Sequence, residues 1–215
     1  MTKKEQLSRA PRVKKEMPKK KRGLRTTKSR TSRTNKKKAT QKRKPILMPL
    51  TKLDNLVWKI TSLAFRLQDS DRQGFVKCCT CGNKMYYYKS DAQLGHFKSR
   101  SAKWTKFLRK NLSTQDTKCN KYGAGEQFKF GKFLDRTYGA GTAEAMMTYA
   151  NKPEKFGRYE YKKHLLENSR ILLEEAKSRR LYDWKSGMAK WELDFLEKLD
   201  DYNIDEEIII HKQRV

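Results

Sequence analysis

The sequence predicts an α+β fold: a small metal-clamped core of short strands, flanked by helices and preceded by a basic arm. Three observations carry that reading. All four cysteines fall within residues 78 to 119, opening on Cys78-Cys79-Thr80-Cys81-Gly82 and closing on Asp116-Thr117-Lys118-Cys119-Asn120. Apolar residues recur at helical spacing on both sides of that stretch. Residues 1–44 hold 20 Lys or Arg against two acids, Glu5 and Glu16, with almost no apolar residue beyond Leu7, Val13, Met17 and Leu24.

The arm, residues 1–45, cannot bury enough surface to offset chain entropy, so it is expected to be disordered when alone. Its uniform sign suits contact with phosphates, at an affinity that falls steeply with salt. Across the 215 residues the balance is 52 Lys and Arg against 24 acids, a formal charge of +28. Such an excess is most useful against a polyanion, so nucleic acid leads as partner. No apolar run reaches the roughly 18 residues that span a bilayer, and the N-terminus has no apolar signal region. Clustered cysteines without an export signal point to an intracellular, reducing compartment and to metal rather than disulfides.

Order is expected from about Pro49. Thr51-x-x-Asp54 resembles a capping box with Asp for Glu, and Leu53, Leu56, Val57, Ile60, Leu63, Ala64 and Leu67 give a core-facing helix to about Gln68. A charged turn, Asp69 to Gly74, delivers the chain to the cysteines. Phe75–Lys77 and Lys84–Tyr88 read as short strands around the first Cys turn, with the tyrosines of 86 to 88 packing in the sheet. Gln93–Phe97 reads as a strand carrying His96, and Asn111–Ser113 as its return. In the loop 98 to 110, Lys98, Arg100, Lys103, Lys106, Arg109 and Lys110 interleave with Trp104 and Phe107, a mixture suited to phosphate contact. Helices follow at about 126–138, 142–150, 158–181 and 187–200. Residues 46–157 form the expected central domain and 158–215 a C-terminal helical region, whose stripe from Leu165 to Leu199 serves equally as monomer core or homodimer interface.

A Cys-x-x-Cys pair followed by Gly is the turn of a zinc knuckle, with Gly at the positive-φ position. The matching spacing of Asp116 and Cys119 gives Cys78, Cys81, Asp116 and Cys119 as the expected ligands of a structural zinc ion. Between the halves lies His96; directly after them lies Asn120. A neutral imidazole takes a proton from water near pH 7, and one hard cation, Mg²⁺ or Mn²⁺, neutralises a scissile phosphate. His96 is therefore the expected general base and Asn120, through its side-chain oxygen, the expected ligand of the catalytic ion. His164 and His211 read as packed or surface residues, and Cys79 as a buried thiol.

Several pieces in order resemble the phage NinG (Rap) recombination proteins. They are Asp69-x-Asp71-Arg72-x-Gly74, Cys78-x-x-Cys81-Gly82, Gln93-x-Gly95-His96-Phe97-x-Ser99-Arg100, Phe107-x-x-x-Asn111-Leu112, Cys119-Asn120, Tyr138-Gly139 and Lys152-Pro153-x-Lys155-Phe156. The resemblance covers about residues 46 to 180. It implies a ββα-metal (HNH-like) core and a structure-specific DNA endonuclease that acts on branched recombination intermediates, in the host cytoplasm if phage-encoded. It also implies that Asn111 supports catalysis by holding the site loop through backbone hydrogen bonds. Two positions depart from the wider pattern. Asp116 stands where family members usually have a cysteine, and Gly95 where many HNH nucleases have an aspartate before the histidine. The alternatives are a non-catalytic zinc-bearing DNA-binding protein and an RNA-binding protein.

Overall fold

The structure, a computed structural model, describes residues 47–150 and 155–202; the basic arm and the tail with His211 lie outside the described residues. The described residues form one compact unit.

Its backbone is a helix pair. The apolar spacing of the first tract produces α1, Leu50–Gln68, which buries Leu53, Leu56, Val57, Ile60, Ala64 and Leu67. Against it lies α4, Arg158–Arg179, through Leu165, Leu172 and Ala176. Burying each such leucine contributes about 1.5–3 kcal/mol. Inside the pair, Asn168 Nδ2 donates to Thr61 Oγ1 at 2.7 Å in a buried polar link. Residues after 157 therefore share the core of those before it. The expected capping box is absent: Pro49 occupies the N-cap, which puts Thr51 inside the first turn, and no side chain caps the helix. Asp54 instead accepts Lys106 Nζ at 2.6 and 2.7 Å.

Asp69 ends α1 and acts as a hub. Its carboxylate accepts the Thr114 N–H at 3.0 Å and the Thr114 hydroxyl at 2.8 Å, and pairs with Arg109. Asp71 accepts the N–H groups of Gln73 and Phe75, closing the turn into the first strand. The two acids of that motif are thus structural.

Two antiparallel hairpins follow. Phe75–Lys77 (β1) pairs with Lys84–Tyr86 (β2), Val76 opposite Met85. Ala92–His96 (β3) pairs with Leu112–Asp116 (β4), His96 opposite Leu112 and Gln93 opposite Gln115. The return strand starts later and runs further than its sequence suggests, because residues 109–111 form a 3-10 turn first. All five β4 residues, Leu-Ser-Thr-Gln-Asp, are buried although four are polar. Tyr87 is fully buried, and Tyr86 and Tyr88 reach Asp183 and Ser186 through their hydroxyls, so this run packs.

Beyond β4 come a π-helical turn at Lys118–Tyr122, then α2 (Gln127–Tyr138) and α3 (Thr142–Tyr149). A 3-10 turn at Asp183–Gly187 precedes the last expected helix, of which α5 covers only Lys190–Glu197 before a further short turn at Leu199–Asp201. Among the described residues no helix is long and apolar enough to cross a membrane.

Candidate metal centre and adjoining cleft

The β1–β2 hairpin closes on the first Cys turn. Cys78 N–H donates to Asn83 O, and Gly82 N–H to Cys78 O with Gly82 at φ 77°, a conformation that favours glycine. Cys79 N–H donates to Thr114 O at 2.9 Å, fastening the turn to β4. Cys119 arrives from the π turn. Among the described residues the group that could hold a metal is Cys78, Cys81 and Cys119, their sulfurs all within 4.8 Å of one another. A tetrahedral zinc with Zn–S bonds of about 2.3 Å spaces its sulfurs at roughly 3.8 Å, so the donor set fits.

The electrostatics of that group are uneven. Burial raises the Cys78 thiol, but the Thr80 hydroxyl and the N–H groups of Asp116, Cys81 and Thr80 outweigh it and bring it down to about 7. Burial, with the neighbouring thiols, raises Cys81 to about 11. Cys79 is half-buried, outside the trio, and raised by burial and by Cys78.

Asp116 does not join the trio by its carboxylate, which corrects the expected four-residue set. Oδ1 accepts the Lys118 N–H at 2.7 Å and Oδ2 accepts Asn83 Nδ2 at 2.5 Å. These bonds, that from Lys118 first, hold the carboxyl below its ordinary range. The residue ties the second Cys turn to the first instead of reaching for the ion.

His96 ends β3 with its ring stacked on Trp58 of α1, centroids 4.7 Å apart. Arg100 lies over the same indole at 5.1 Å. Nε2 lies 3.1 Å from the Lys106 carbonyl oxygen, so Nε2 carries the proton and Nδ1 keeps a lone pair. Burial first, then Arg100, lowers the imidazole from 6.5 to about 4, leaving it neutral at physiological pH.

The loop that supplies this carbonyl is pinned at the neighbouring residue Thr105. Asn111, fully buried, accepts the Lys98 N–H at 2.6 Å and donates to Lys98 O and Thr105 O at 3.0 and 2.9 Å. Two expected DNA contacts in this loop are spent on the fold. Lys106 is buried in its ion pair with Asp54, and Arg109 joins Asp69, Gln68 and Leu112 O. Phe107 is core, against Tyr161 and His164, and Trp104 meets Phe156 edge-on. Arg100, Lys103 and Lys110 are exposed and Lys98 is half-buried, which leaves four cations at the surface.

Asn120 follows Cys119 in the π turn. Its Nδ2 donates to Gln93 Oε1 at 2.8 Å, and its Oδ1 has no partner among the described residues. His96 and Asn120 line one cleft of about 530 Å³, together with Lys98, Arg100, Gly125 and Gln127. Among the described residues no carboxylate lines it.

Sequence reasoning missed Gln115. It is fully buried, and its Nε2 donates to Gly125 O at 2.9 Å and Thr80 Oγ1 at 3.3 Å. Thr80 Oγ1 in turn lies 3.3 Å from Cys78 Sγ, so one side chain connects the thiol trio to the cleft wall. Its Oε1 sits where a side chain at position 95 would start: a Cβ on Gly95 would lie 2.0 Å from it. That contact accounts for glycine before the histidine. Gln115 lay beyond the expected strand Asn111–Ser113, and the register that places it beside Gly95 is a tertiary fact.

Comparison with protein families gives a match to the model described as the bacteriophage lambda NinG protein, over residues 4–178. No curated protein and no solved structure matches.

Proposed function

The chain belongs to the NinG family, which is implicated in phage recombination, and on that premise we propose that it is a metal-dependent endonuclease of branched DNA with a ββα-metal-like site. The observation that carries the reading is the shared cleft, where His96 and Asn120 stand with complementary atoms uncommitted. In this reading Nδ1 of His96 takes the proton of the attacking water, while the Lys106 carbonyl holds the tautomer. Lys98 and Arg100 bind the flanking phosphates. Asn120 Oδ1 would hold a divalent cation, with its carboxamide oriented by Gln93. That cation, when bound, neutralises the scissile phosphate and the leaving oxygen. The three thiols would hold a structural zinc that clamps a motif too small for a core of its own.

The test is a panel of forked, four-way and linear DNA with Mg²⁺ or Mn²⁺. Wild type is expected to cut branched DNA, whereas His96→Ala loses cutting by at least 100-fold and keeps its DNA affinity. Equal cutting by His96→Ala overturns the assignment. One observation favours a second reading, a zinc-bearing DNA-binding protein without hydrolysis: the cleft has two cations and no carboxylate. No nick on any substrate would select it.

A further inference from the structure

The segment that closes the cleft carries the two most exposed large rings among the described residues, Tyr122 at 82 % and Phe128 at 74 %. Tyr122 ends the π turn that begins with Lys118, two residues after Asn120. Phe128 follows Gln127 at the start of α2. Between them, Ala124, Gly125 and Glu126 all have positive φ, 49°, 79° and 49°. Two of those three are not glycine, and each bears the steric cost of the left-handed region. The turn is kept by bonds to its surroundings: Gly125 N–H donates to Cys119 O, and Gly125 O accepts Gln115 Nε2. Ala124 and Gly125 line the cleft, so the strained turn is cleft wall; Tyr122 and Phe128 flank that turn in sequence, outside the lining itself.

The chemistry around the rings is cationic. Lys121, Lys129 and Lys132 are exposed, and Lys132 Nζ lies 4.3 Å from the centre of the Phe128 ring. The acid in this stretch, Glu126, is matched by Lys129 at 3.0 Å. Isolated rings set among lysines are a poor groove for an apolar protein segment. They are a good platform for a base whose phosphate a neighbouring cation holds. In linear duplex the base faces are occupied by stacking, whereas a branch point or fork leaves faces open.

We propose that Tyr122 and Phe128 stack on unpaired bases at the branch of the DNA substrate and so supply the preference for branched over linear DNA. The inference rests on the DNA reading above and names what selects the substrate. Alanine substitutions of stacking residues lower affinity by roughly 5- to 150-fold per base.

The experiment uses full-length protein carrying His96→Ala, so that binding is read without turnover. Four-way and forked DNA with 2-aminopurine at the branch, and linear duplex of equal length, are titrated at fixed salt. Adding Tyr122→Ala or Phe128→Ala should weaken branched binding at least fivefold, leave linear binding within twofold, and abolish the quenching of 2-aminopurine. Tyr122→Phe and Phe128→Tyr should keep the quenching, and all four should keep the melting temperature, since both rings are exposed. Equal losses on branched and linear DNA, or unchanged branched binding, would overturn the proposal. Cutting by the protein with His96 intact is measured separately: absence of cutting with selective loss overturns hydrolysis and supports the stacking role. Absence of DNA binding overturns both.

Discussion

Adding one methyl group at Gly95 tests the architecture of the site without touching a group assigned to chemistry. A Cβ there would meet Gln115 Oε1 at 2.0 Å, Cδ at 2.8 Å and Cγ at 3.1 Å, all deeper than van der Waals contact. Gln115 must swing away, and the buried Gly125 carbonyl then loses its donor at 2.9 Å, as does Thr80 at 3.3 Å. Overpacking costs about 1–3 kcal/mol and a stranded buried carbonyl about 1–3, so Gly95→Ala should cost about 2–6 kcal/mol. In a unit of this size that is a fall of roughly 4–24 °C in melting temperature. Calorimetry on zinc-loaded Gly95→Ala, Gln115→Ala and the double variant measures it. Gln115→Ala strands the same carbonyl and removes the clash, so the double variant should be no less stable than Gln115→Ala alone. Additive losses, or a loss under 0.5 kcal/mol in Gly95→Ala, would refute the account of why glycine precedes the histidine.

Asp116→Ala should lower zinc affinity about 10-fold while the three thiols still bind, because it removes an outer support and not a ligand; competition with a chromogenic chelator measures this, and complete loss of binding would make Asp116 a ligand after all. Both half-buried imidazoles, His96 and His164, are lowered to about 4, by loss of solvation first. The unfolded chain therefore binds more protons between pH 6.5 and 4, and stability, full above 6.5, falls across that window as pH drops. His164→Phe should flatten the fall in melting temperature; a curve that is flat in the wild type would refute it. For the same reason the rate of DNA cutting should show no inflection near pH 6.5.

The fold was legible where local pattern and packing agree. The spacing of Leu53 to Leu67 foretold α1 because its burial is governed by one partner helix, and Phe75–Lys77 followed from the turn chemistry of the cysteines. In the loop 98 to 110, Lys106 and Arg109 were misread because cations and rings were counted without their partners. Lys106 meets Asp54 and Arg109 meets Asp69 across 52 and 40 residues of chain. No local rule separates a lysine that binds phosphate from one that closes a buried ion pair. Asp116 failed for a related reason: its spacing fits a ligand, and its two oxygens had nearer donors in Asn83 and Lys118. Gln115 could not be foreseen, since its role depends on the register that sets Gly95 opposite Ser113 and the Gln115 side chain beside it.

On the proposed reading, the composition of the cleft also sets how a catalytic cation would arrive. Mg²⁺ and Mn²⁺ favour six oxygen ligands and anionic charge. The described lining offers only uncharged side-chain oxygens, those of Asn120, Gln127, Ser99 and Ser101, in a cleft that Lys98 and Arg100 make positive. The missing charge has to come from the substrate, so the cation and the DNA phosphate should bind together and reinforce each other. Paramagnetic titration of Mn²⁺ into zinc-loaded His96→Ala protein should give a dissociation constant on the order of millimolar without DNA. Saturating branched DNA should tighten it at least 10-fold beyond what the DNA binds alone, and Asn120→Ala should remove that gain. Tight Mn²⁺ binding without DNA would mean that a carboxylate elsewhere holds the ion, and Asn120 would lose its assigned part.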